Sequence, residues 1–156
     1  MAARSGQDEV RHAREVGRFG GTPAEVRVLR ANRRSLEELA RENAVEGCVR
    51  ETFGALVATW QAAHAGDGEV RAVMQRIAVD ETRHAALAWA VARWAASQLD
   101  EAACERVREA QKEAIRALDR RVWSGAAVSV LTEAGLPTPA RARDLLAGMT
   151  EALWAA

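Results

Sequence analysis

Two short stretches of this 156-residue sequence carry the same chemically capable side chains in the same order. Asp8-Glu9-Val10-Arg11-His12-Ala13 returns 72 residues later as Asp80-Glu81-Thr82-Arg83-His84-Ala85, identical at every position but one. An internal duplication is the natural reading. On a helix, a Glu and a His three residues apart are neighbours on one face, so each copy directs a carboxylate and an imidazole at one point. Carboxylates bridge two cations and offset their charge, while neutral imidazole suits transition metals and leaves positions open for oxygen or substrate.

In helical bundles this spacing serves di-iron and di-manganese sites, where two Glu-x-x-His pairs join single glutamates from two other helices. The faces on which the candidates lie fit that use. Leu39, Glu46, Phe53 and Trp60 follow one another at intervals of seven, with Val49 and Leu56 beside them, so Glu46 interrupts an apolar stripe. Glu42 and Glu51 flank the stripe and read as rim or surface charges. Val70, Ile77, Glu81, His84, Ala88 and Val91 line one face of a later helix, and His12, Val16 and Phe19 line one face of the first. The expectation is that Glu9, Glu46 and Glu81 with His12 and His84 point into the core, where unpaired carboxylates need a cation or a strong hydrogen-bond partner. Asp8 and Asp80 fit either ordinary first-turn or surface acids, or acceptors that fix the imidazole of the opposite copy, Asp8 for His84 and Asp80 for His12. Arg11 and Arg83 read as their salt-bridge partners.

The elements that must position these residues are helical throughout. Alanine, leucine, valine, glutamate and arginine dominate, tyrosine is absent and prolines are three, so an all-α fold follows. Ser5 is expected to cap a first helix ending at Gly20-Gly21, and Pro23 to Arg34 reads as a connection. Ser35 with Glu38 forms a capping-box signature for a long helix that runs to Gly66-Asp67-Gly68. Further helices are expected over 69–97, 101–124 and, opened by Thr138-Pro139, to Trp154. Cys48 and Cys104 lack Cys-x-x-Cys spacing and read as small apolar residues, which argues against a disulfide framework. His64 reads as a helix-end residue and the five tryptophans as core or interface aromatics. Lysine plus arginine equals aspartate plus glutamate at 22 each, so nothing draws the chain to nucleic acid or an anionic membrane. With no long apolar run and no apolar signal core, a cytoplasmic location is expected.

At Asp8–Arg14, Glu46–Thr52 and Ile77–Ala85 the sequence resembles the ferritin-like superfamily, in particular bacterial ferritin-like domain proteins, and the resemblance covers most of residues 5–97. It implies a ferritin-like helical bundle of two antiparallel pairs, with residues 1–99 carrying the site, a crossover at 22–34, and residues 100–156 as a C-terminal extension packed on the bundle within one domain. It implies Glu9, His12, Glu46, Glu81 and His84 as ligands of two iron ions, with manganese as the alternative, and an oxygen- or peroxide-dependent oxidoreductase whose substrate, Fe(II) or a small molecule, stays open. The rival expectation is a non-catalytic helical module that keeps a degenerate site. The family pattern opens with a helix bearing a glutamate equivalent to Glu46, for which there is no room before residue 9. The missing ligand is then expected from a second subunit, from an upstream segment, or not at all. The absent helix predicts exposed apolar faces and hence a homodimer, poor solubility, or cover from the C-terminal helices.

Overall fold

The computed structural model describes residues 2–20, 33–121 and 128–154, which form helices and short turns with no strand among them. Helix α1 spans Ala2–Gly17, so it begins before Ser5, which lies inside the helix instead of capping it. The chain re-enters at Ser35, whose hydroxyl accepts the Glu38 backbone N–H at 3.2 Å while the Glu38 carboxylate accepts the Ser35 backbone N–H at 2.7 Å. This capping box opens α2, Leu36–Asn43. The same rod continues as a π-helical segment over Ala44–Glu51 and then as α3, Thr52–His64. The expected crossover lies outside the described residues except at its last two positions.

Asp67 starts α4, Gly68–Ala96, by accepting the backbone N–H groups of Glu69 and Val70 at 2.7 and 2.9 Å. Helix α5 covers Glu101–Arg121, α6 Val128–Glu133 and α7 Pro139–Met149, the last capped by Thr138 and followed by a π turn at Thr150–Trp154. Gly135 adopts φ 65°, and a Cβ there would stand 2.3 Å from the Ala65 nitrogen. Only glycine therefore lets the α6–α7 turn reach the α3–α4 turn, where Gly66 donates to the Thr132 carbonyl at 3.2 Å.

The core lies between α3 and α4, where Ala58, Val73, Ile77 and Ala78 are buried together and Met74 packs on them. Small side chains let the helices approach closely. At Gly47 an added Cβ would come within 2.5 Å of the Ala88 Cβ. Helix α5 packs on α2 and the π segment, with the Arg106 guanidinium forked onto Glu37 at 2.7 and 2.8 Å. The chain end returns there too, where the Trp154 indole N–H donates to the Cys48 carbonyl at 3.2 Å. Burial pushes the Cys48 thiol up to about 11, as expected of an inert core cysteine.

Helix α1 packs chiefly on α4, and the C-terminal helices do not serve as its cover. Val16 and Phe19 were expected to face the core with His12, yet both are exposed, Phe19 by 41%. The physical reason is the absence, among the described residues, of an element on the outer side of α1. No helix of the described residues is long and apolar enough to cross a membrane.

Candidate metal centre

Helices α1 and α4 bring the two copies of the repeat face to face. His12 and His84 are each more than nine-tenths buried, with ring centroids 6.2 Å apart. Each ring turns its Nε2 toward the aspartate of the other copy: His12 Nε2 lies 3.2 Å from Asp80 and His84 Nε2 lies 3.3 Å from Asp8. This is the cross-pairing that the duplicated motif suggests, and it joins residues 68 and 76 positions apart.

The aspartates are themselves anchored by the two arginines. Arg11 donates to Asp8 at 2.7 Å and to Asp80, and Arg83 donates to Asp80 and approaches Asp8 at 3.4 Å. Burial alone would raise both carboxyls. The hydrogen bonds from Arg11 and from the facing histidine, with the charges of Arg11 and Arg83, outweigh it and hold Asp8 and Asp80 below the usual carboxylate range. An ionised aspartate accepts only, so each Nε2 carries the proton and each Nδ1 presents a lone pair.

Both lone pairs point at glutamates. His12 Nδ1 lies 2.9 Å from Glu81 and 3.9 Å from Glu9. His84 Nδ1 lies 3.2 Å from Glu9, 3.6 Å from Glu51 and 3.8 Å from Glu81. The His12 Nδ1 and one Glu51 carboxylate oxygen are buried and make no hydrogen bond, the 2.9 Å approach included. Burial first, then the neighbouring charges of Glu9 and Glu51, push the Glu81 carboxyl up to about 7, against a smaller lowering by His84 and His12. Lone pairs from two imidazoles and three carboxylates thus converge with too few protons between them, and a divalent cation is what such a donor set accommodates. Glu9, Glu51, Glu81 and His84 each bring a ligand atom within 4.8 Å of the others.

Four of the five expected ligands, Glu9, His12, Glu81 and His84, are therefore brought together, and Glu46 is not. Its side chain is 53% exposed and paired with Arg50 at 2.6 Å. Glu51, expected at the rim, occupies the place assigned to Glu46. Seven α-helical residues return to within about 20° of their starting direction, but the widened turns of a π segment break that count. The segment runs over Ala44–Glu51, so it spans both glutamates and turns one outward and the other inward. A cavity of about 270 Å³ opens on Glu9, Glu51 and His84, walled by Gly6, Gly47 and Ala88.

Compared with protein-family models, curated proteins and solved structures, the chain matches none of them.

Proposed function

We propose that this chain is a ferritin-like two-metal carboxylate protein, with iron as the favoured metal and manganese as the alternative, that uses oxygen or peroxide to oxidise Fe(II) or a small molecule. The observation that carries the reading is the pair of buried imidazoles whose Nε2 atoms are tied to ionised aspartates while their Nδ1 lone pairs face three glutamates. A purely structural network would place donors against those carboxylates. Here the donors are spent on the far side, and the inward face is acceptors alone.

Glu9 and Glu81 each approach both imidazoles, the placement a bridging carboxylate needs, and Glu51 approaches His84. When bound, the metal pair would supply one-electron chemistry and open coordination positions. The chain's part is to hold the imidazoles in one tautomer, to offset the cationic charge with glutamates, and to admit a small reactant through the cavity beside Gly6 and Gly47.

The test is anaerobic Fe(II) loading followed by oxygen, read by metal analysis and optical spectra. Stoichiometric iron and an oxygen-dependent absorption change are expected in the wild type, with iron content reduced in His84→Ala. Wild-type protein that takes up no iron, or a His84→Ala variant with unchanged content, would overturn the reading.

A further inference from the structure

The pseudo-twofold relation between the repeats pairs Glu9 with Glu81, His12 with His84 and Asp8 with Asp80, but it leaves Glu51 without a counterpart among the described residues. His84 faces Glu9, Glu51 and Glu81. His12 faces Glu9 and Glu81 alone. The nearest further acid on its helix, Glu15, pairs with Arg76 at 3.4 Å and has no contact with the His12 ring. The buried His12 Nδ1 has no hydrogen-bond partner, and Glu9, which borders it, is 55% exposed. The under-filled position therefore borders solvent.

Resting on the metal-centre reading, we propose that the two cation positions are unequal. This chain closes a four-ligand position around His84 with Glu9, Glu51 and Glu81. It leaves the position at His12 short of one carboxylate, which comes from outside the chain, either a small carboxylic acid or an acidic side chain of a second copy. The His12 position is thus the binding site for a carboxylate ligand, and the second cation enters only with it. The chemistry favours an anion because two bridging glutamates shared between two divalent cations leave net positive charge at the less-furnished ion.

Mn(II) titration of the full chain, read by low-temperature EPR and calorimetry with and without acetate, tests this. One equivalent should bind tightly and the second at least roughly tenfold more weakly, given the loss of a ligand. Acetate should tighten the second by roughly fivefold or more, leaving the first unchanged. His12→Gln should remove the second equivalent alone, and Glu51→Gln should weaken the first. Sedimentation along the titration separates the sources: a dimer that forms with the second equivalent, in the absence of acetate, identifies a second copy as the donor. Two equal equivalents overturn the proposal while leaving the metal centre standing. So does a second equivalent that neither acetate nor dimer formation affects, or one that Glu15→Gln abolishes. No Mn(II) binding at all overturns both.

Discussion

Burial and the charges of Glu9 and Glu51 push the Glu81 carboxyl up to about 7 from its ordinary 4.5, so the metal-free protein carries this residue partly protonated near neutrality. A carboxyl whose folded pKa lies above its unfolded value favours folding in its protonated form. Its contribution is complete below about 4.5 and is lost as pH rises through about 7. Glu81→Gln, which keeps the shape and cannot ionise, should therefore stabilise the metal-free protein at pH 8 by on the order of 1–2 kcal/mol, discounted for partial solvent access. The gain should vanish at pH 5, as chemical denaturation at the two pH values would reveal. An equal effect at both would show that charge repulsion at Glu81 is not what the glutamine relieves. With a divalent cation the sign inverts, because the ligand must be deprotonated. Metal affinity should climb between pH 6 and pH 8, with proton release measurable by calorimetry in two buffers of different ionisation enthalpy. At this scale the sequence was legible where the motif repeats itself: Asp8, His12, Asp80 and His84 each have a counterpart, and two copies facing each other cross-pair by symmetry. Glu51 has none, and nothing in its own neighbourhood distinguishes it from Glu46.

Helix starts and stops were readable for a related reason, since a cap is a local bargain between a side chain and the first free N–H groups. The Ser35–Glu38 box and the Thr138–Pro139 start stand as the residues dictate. The π segment was not readable, because its cause is tertiary: Asn43 reaches across to the Ala88 carbonyl at 2.9 Å, Gly47 packs against Ala88, and Cys48 and Val49 are buried. Such contacts select a wider turn that periodicity in the sequence does not encode. They also make a specific demand. Gly47→Ala places a methyl where only 2.5 Å separates it from the Ala88 Cβ. The segment must then lift away from α4, at a cost of about 1–3 kcal/mol. Because Glu51 ends the same segment, cation affinity should fall along with stability. Ala88→Gly in the same chain should restore much of both, and a double-mutant cycle on melting temperature and Mn(II) affinity measures the coupling. A Gly47→Ala variant as stable as wild type would show that the close approach is dispensable.

At the scale of the whole molecule, α1 is held differently from every other long helix. Among its described side chains only Asp8 and His12 are buried, and both are polar members of the centre. Its remaining anchors to α4 are the exposed pairs Arg18–Glu69 at 3.0 Å and Arg76–Glu15 at 3.4 Å, of the kind that contribute little in water. Docking of α1 therefore depends on the Asp–Arg–His network, and cation binding and α1 docking are one linked equilibrium, because Glu9 and His12 leave the site when the helix does. Helix α4, buried along Val73, Ile77, Ala78, Ala85 and Ala88, has no such dependence. Amide hydrogen exchange should find α1 opening well before α4 in the metal-free chain. A cation at about 100 times its dissociation constant adds about 2.7 kcal/mol to the closed state, so exchange in α1 should slow by roughly a hundredfold. Exchange in the α3–α4 core should change less, since those amides open only with the larger unfolding. Chelator should reverse the effect. If α1 exchanged as slowly as α4 without metal, the helix would have to be anchored by something other than its two buried polar residues, and the linkage between site and docking would fail.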